Sequence, residues 1–161
     1  MKKLIVIVSM AVILWTGLLL AEETSIGFVK NVSGQAFIGR QQKLIPARVN
    51  EKLLLSDALV TGADGSIGVI MHDDSVMSLG PKSRVNLTQF SFVPAENKLS
   101  FIAKVKRGTM VYLTGLMAKL DRKSVRIETP TAVCGVRGTQ FAIKVDNRDE
   151  DDADISITES N

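Results

Sequence analysis

Apolar residues recur at every second position in short runs, and small turn-forming residues separate the runs. This period of two limits the chain to half-buried β-strands. Ile26, Phe28, Val32, Ala36 and Ile38 open the pattern, and Ile67, Val69 and Met71 continue it. Val76 follows, with Ser75 and Met77 on the opposite face. Then come Val85 with Leu87, Phe101 with Ala103 and Val105, Val111 with Leu113, Val125 with Ile127, and Phe141 with Ile143 and Val145. Each set places its apolar side chains on one face of a strand. The breaks fall at Ala63-Asp64-Gly65, His72-Asp73-Asp74, Gly80-Pro81 and Pro94 to Asn97, all residue types that favour turns. Returns at about 8 to 12 residues describe an all-β fold, an antiparallel sandwich, jelly roll or barrel, with no room for the helices of an α/β fold. One short helix is expected within Leu116 to Lys123, where Met117 and Leu120 are three apart.

A chain of 161 residues with 45% apolar residues supports one core. Aromatics are only 5%, so that core is expected to be aliphatic. Cys134 is the sole cysteine, which excludes an internal disulfide and leaves packing to stabilise the fold.

The beginning of the chain points to export. Met1, Lys2 and Lys3 precede an apolar run from Leu4 to Ala21, and Glu22 and Glu23 follow at once. The run is long for a signal peptide and near the minimum for a membrane span. Ala21 suits a cleavage site, whereas Leu19 is larger than such sites prefer, so a cleaved signal and a retained anchor both stay open. Residues 1–21 are therefore read as signal or anchor helix, 22–145 as the β domain, and 146–161 as an acidic loop with a partial terminal strand. The expected location is the periplasm, with membrane contact only if residues 1–21 are retained.

Charge is divided along the chain. Residues 22–145 carry 17 Lys and Arg against 10 Asp and Glu, whereas residues 146–161 hold one Arg and seven acids. A basic body often signals nucleic acid. Export removes that partner, leaving anionic lipids, envelope polymers or an acidic protein face.

Little in the sequence supports catalysis. His72 is the only histidine and falls in a turn, so no nucleophile has an obvious base. Cys134 reads as a small buried hydrophobe, with Arg137 the one nearby cation able to activate a thiol. Asp73 and Asp74 are adjacent, which suits a turn better than a pair of carboxylates facing a sugar. The acidic run lacks the spacing of a calcium loop, zinc has no Cys or His pair, and no phosphate-binding or cofactor fingerprint is present. No cofactor, metal or enzymatic activity is expected.

Several segments together resemble one family. Glu128 to Phe141, ETPTAVCGVRGTQF, is the most specific, with Thr129, Pro130, Ala132, Val136, Arg137, Gly138, Thr139 and Phe141 in the places they hold in FecR-type periplasmic domains. Gly27 to Gly39 is similar to the opening of such domains. Pro46 to Gly62 resembles the next stretch through Asp57, Thr61 and Gly62, and Gly108 matches the glycine that begins a late strand. Ser66 to Leu87 resembles the central hairpin, although the usual Asp-Gly-Ser turn is here Asp73-Asp74-Ser75.

The resemblance implies an antiparallel sandwich or jelly-roll-like domain whose motif residues determine the fold. Gly138 is expected at a bend, Phe141 in the core, and Arg137 against an acid such as Asp57. Founding members resemble relays with a cytosolic segment, one membrane span and a periplasmic domain that hears an outer-membrane transporter. Only Met1 to Lys3 precede the apolar run here. The expectation is a stand-alone exported form, lacking the segment that contacts a sigma-factor regulator and working by protein binding. Its partner would be a transporter or membrane regulator. Binding of a ligand or envelope polymer is the alternative, supported by the basic body and weakened by the scarcity of aromatic platforms.

Overall fold

The computed structural model describes residues 24–136 and 140–146. The expected signal or anchor helix, the terminal strand, and Arg137, Gly138 and Thr139 lie outside the described residues.

The strands are β1 (Ser25–Ser33), β2 (Ala36–Arg40), β3 (Lys43–Pro46), β4 (Lys52–Leu54), β5 (Ala58–Thr61), β6 (Ser66–Met71), β7 (Val76–Leu79) and β8 (Arg84–Val93). They continue with β9 (Lys98–Leu113), β10 (Val125–Glu128), β11 (Val133–Gly135) and β12 (Gln140–Val145). Among the described residues a single helix, α1 (Leu116–Leu120), joins β9 to β10, and one 3-10 turn caps the β8–β9 hairpin at Pro94–Glu96. The mostly antiparallel β architecture expected from the two-residue period is present.

The layers are more closely joined than in a sandwich of separate sheets. All 12 strands of the described residues belong to one curled sheet. Its first leaf runs β4-β1-β6-β7-β9-β12, and its second runs β3-β2-β5-β8-β9-β10-β11. The 16-residue β9 belongs to both. Its N-terminal half lies between β8 and β10, and its C-terminal half lies between β7 and β12. The β9–β10 pairing is parallel, because the chain crosses back through α1 before β10 begins. Met117 of α1 is fully buried, whereas Leu120, expected on the same face, is 61% exposed because the helix ends there.

β9 changes leaves at Gly108, whose φ of 87° is open to glycine and strained for other residues. Such a bend is the usual way for a strand to turn a corner between sheets. The bend also shifts the inward phase by one residue. Phe101, Ala103 and Val105 point inward before it; Met110 and Tyr112 do so after it. The sequence pattern had placed Val111 and Leu113 inward, but Val111 is half-buried and Leu113 is exposed. A similar correction applies to β7, where Met77 and Leu79 are buried and Val76 is not, and to β1, where register shifts bury Val29 rather than Phe28. Val85, Leu87, Val125 and Ile127 are buried as expected.

Side chains from both leaves fill the interior. Aliphatic residues dominate, and an aromatic row crosses them. Phe90 meets Phe101 edge-on at 6.0 Å, Phe101 stacks on Tyr112 at 5.7 Å, and Tyr112 lies 5.5 Å from Phe141. Few aromatics are present, but four of them form one continuous link from β8 to β12.

Candidate functional site

Asp57 stands just before β5, after Ser56 turns the chain with φ of 71°. The register Gly39↔Ala58 brings the end of β2 beside it. Arg40 Nε donates to Asp57 Oδ1 at 2.9 Å and Nη2 donates to Oδ2 at 2.8 Å. The Leu54 N–H also donates to Oδ2 at 2.8 Å, and Arg40 Nη2 donates to the Lys52 carbonyl at 2.8 Å. Asp57 and Arg40 therefore tie β4, the edge of the first leaf, to β2 and β5 of the second. Both carboxylate oxygens of Asp57 are engaged by Arg40, while Arg137, expected against an acid such as Asp57, lies outside the described residues.

Thr61 and Gly108 converge on Ser83, while Gly62 packs against Gln35. Thr61 Oγ1 donates to the Gly80 carbonyl at 2.7 Å and accepts from the Ser83 N–H at 2.9 Å. Ser83 Oγ accepts from the Thr109 N–H at 2.9 Å. A Cβ on Gly108 would overlap Ser83, whose own Cβ is 2.7 Å from that position. The Gly62 N–H donates to the Gln35 carbonyl at 2.8 Å, and a Cβ there would press on the Gln35 side chain at 2.8 Å. These contacts lock the corner at which β9 changes leaves.

The remaining described motif residues, Thr129, Pro130 and Phe141, lie elsewhere. Thr129 closes the β10–β11 turn: its N–H donates to the Ala132 carbonyl at 2.8 Å and its Oγ1 accepts from the Ala132 N–H at 3.0 Å. Pro130 is exposed in that turn. Phe141 is half-buried against Tyr112, in keeping with a place beside the core. Among the described residues the motif positions thus hold several joints of the fold and do not line one cleft.

Asp73 has a role that the sequence pattern concealed. It is only 1% exposed, and Oδ1 accepts from Ser75 Oγ at 2.6 Å and from the Ser75 N–H at 3.2 Å. Its Oδ2 accepts from the Met117 N–H at 3.4 Å, and its carbonyl from the Leu116 N–H at 2.6 Å. The β6–β7 turn is thereby fastened to α1. Asp74 keeps the left-handed conformation natural to glycine, with φ of 62°. With Asp73 committed to these donors, the two acids do not form a pair of carboxylates facing a common substrate.

His72 is exposed, and its Nε2 is 3.4 Å from Ser25 Oγ, at the outer limit of hydrogen bonding. Cys134 is half-buried, more open than its apolar neighbours suggested, because it lies on β11 at the edge of the second leaf. Among the described residues no three His, Cys, Asp or Glu side chains gather as metal ligands, and no helix is long and apolar enough to cross a membrane.

Two surface features have the character of binding sites. The first is a groove of about 490 Å³ at the open end of the curl, between the start of β1, the end of β4 and the far half of β8. Leu54, Leu55, Phe90, Phe92 and Val93 supply its apolar lining, and His72 stands at its side. Leu55 is 48% and Val93 40% exposed, a poor use of large apolar side chains unless something covers them. Periodicity alone had not marked Phe90 and Phe92, because the groove forms only where β8 extends past β5.

The second is a row of cations on the outer face of the second leaf. Arg84 pairs with Arg107 across the β8–β9 ladder, while Val85 pairs with Val105. Lys106 is therefore the extra residue of a bulge, and three cations meet there. Lys104 follows on β9, and Arg126 faces Ile102 from β10. Glu128, in register with Lys104, is bonded to it at 3.3 Å.

Residues 57–161 match a family model described as FecR protein. No curated protein and no solved structure matches the chain.

Proposed function

The chain belongs to the FecR family, and on that premise we propose that it is an exported, non-catalytic module of the bacterial cell envelope that binds another envelope protein. The observation that carries this reading is the apolar groove at the open end of the curl. Two phenylalanines beside Leu55 and Val93 form an anchor of the kind that dominates protein interfaces, and His72 with Ser25 adds polar contacts at its rim. Thr24 and Ser25 also line the groove. The apolar run Leu4 to Ala21 therefore ends close by in sequence, which would hold the groove near the membrane surface in an anchored form.

A photo-crosslinking residue at Val93 in the full chain, tested in intact envelopes, checks the proposal. The expected result is one protein adduct that disappears in a Phe92→Asp variant and is not formed from a crosslinker at Lys43, on the far edge of the second leaf. Adducts with lipid or cell-wall material alone would overturn it. A second reading, binding of an anionic envelope polymer, draws on the row of Arg84, Lys104, Lys106, Arg107 and Arg126. Binding to cell-wall polymer that falls steeply with salt would favour it.

A further inference from the structure

We propose that the groove takes an extended, uncharged segment of the partner protein as an added β-strand, laid along the open edge of β8 at Gln89–Val93. The inference rests on the reading of the groove as a protein-binding site and says how that site binds. Phe90, Ser91, Phe92 and Val93 are consecutive, and all four line the groove. Successive side chains on a strand point to opposite faces. A hollow that touches four in a row therefore runs along the strand's edge and not over one of its faces.

The edge is open because β5 stops short of it. β5 pairs with β8 from Val60↔Arg84 to Ala58↔Asn86, and Leu87 still exchanges backbone bonds with Ser56 and Asp57. At Ser56, with φ of 71°, the chain turns away. Past the bulge at Thr88, Gln89–Val93 keeps unbroken register with β9 on one side, from Gln89↔Ile102 to Val93↔Lys98. Among the described residues no strand pairs with it on the other side. Proteins discourage pairing at such edges with a charge, a proline or a very short strand. The outermost strands of both leaves follow that rule: β3 carries Lys43 and Pro46, β4 carries Lys52, β12 carries Lys144, and β11 has three residues. Gln-Phe-Ser-Phe-Val has no such guard. The groove beside it is lined without Lys, Arg, Asp or Glu, so a segment without charge matches it and a charged one would lose hydration there uncompensated. Backbone bonds to the edge would supply affinity, while Leu54, Leu55 and Val93 would cover apolar side chains at alternate positions of the added strand.

Short random peptides displayed on phage and selected on the full-length chain supply the probe. The selected peptides, made synthetically, are expected to be uncharged and to alternate apolar with polar residues. Bound peptide should slow hydrogen exchange within Gln89–Val93 and leave the β3 edge at Lys43–Pro46 unchanged. Only alternate amides of an added strand face its neighbour. N-methylation of one alternate set should therefore weaken binding about tenfold or more, while N-methylation of the other set leaves it nearly unchanged. Equal loss from both sets, selection of helical or highly charged peptides, or retention of no peptide would overturn the proposal. So would protection of Gln89–Val93 that grows with chain concentration when no peptide is present, the sign of an edge paired with a second copy. Peptides that dock on β8, with no protein adduct at Val93 in intact envelopes, would support strand addition and refute the envelope partner. A protein adduct at Val93, with no peptide protecting β8, would keep the groove as a protein site and overturn strand addition.

Discussion

Arg40 and Asp57 form a two-point ion pair, each carboxylate oxygen receiving its own N–H, at 2.9 and 2.8 Å. The carboxylate is 1% exposed and its cation 22% exposed, so the pair is largely withdrawn from solvent. Arg40→Ala would leave a buried charge without its counter-ion, at a cost of about 3 kcal/mol. Chemical denaturation should show a lower midpoint with an unchanged slope. Arg40→Lys should recover little, because an ammonium cannot reproduce the planar fork. A midpoint equal to that of the parent would show that the leaves do not depend on this clasp.

Gly108→Ala should be among the most damaging single-methyl additions. The side chain would face both the strain of φ at 87° and overlap with Ser83. Strain of this kind costs about 1–2 kcal/mol by itself, and the overlap adds to it. Gly135→Ala is the control, since a Cβ there meets nothing within 4 Å. Thermal melts of the two variants that coincide would contradict the role of Gly108 as the corner of β9.

Asp74→Gly should raise stability. Asp74 holds φ of 62° with an exposed side chain, and glycine adopts that conformation without steric cost. The unfolded chain gains freedom in exchange, so the net change is expected to be below about 1 kcal/mol in favour of the variant. The neighbouring Asp73→Ala should act in the opposite direction, because it strands the Ser75 hydroxyl and loosens α1. A Gly variant less stable than the parent would mean that the Asp74 side chain contributes a contact of its own.

Tyr112 offers a clean titration, being the only tyrosine in the chain. Its phenol is fully buried, and burial pushes its pKa well above the usual tyrosine range. Below about pH 10 both folded and unfolded chains keep the proton, and stability does not respond to this group. Above that pH the unfolded chain ionises while the folded chain does not, so stability should fall by up to about 1.4 kcal/mol per pH unit. Ultraviolet difference spectra should show no phenolate until the protein unfolds, in a single step. Phenolate appearing near pH 10 in the folded protein would contradict this, and Tyr112→Phe should abolish the alkaline loss of stability.

Strand positions were legible because alternation survives burial on one face, as at Val85 and Leu87 or Val125 and Ile127. Inward phase was lost wherever a bend intervened. Gly108 moved it from Val111 to Met110 and Tyr112, and the register shifts of β1 moved it from Phe28 to Val29. Such shifts arise from pairing across distant strands, which a linear period does not register. The β2–β3 hairpin escaped for another reason: Gln41 and Gln42 both take positive φ, a conformation their residue type does not advertise. At the candidate site, the motif acid Asp57 was recognisable but Arg40 was not, since only the β2–β5 register brings them together. The groove needed the same long-range information, as its walls come from β1, β4 and β8.

The sharing of β9 also determines how the molecule would bear tension. A pull between the start of β1 and the end of β12 travels through β6, β7 and the C-terminal half of β9, because these strands bond in that order. The N-terminal half of β9 and the strands paired with it lie to the side of this load path. A stretched chain would strain its first leaf ladder by ladder, while the cationic face of the second leaf stayed slack up to the corner at Gly108.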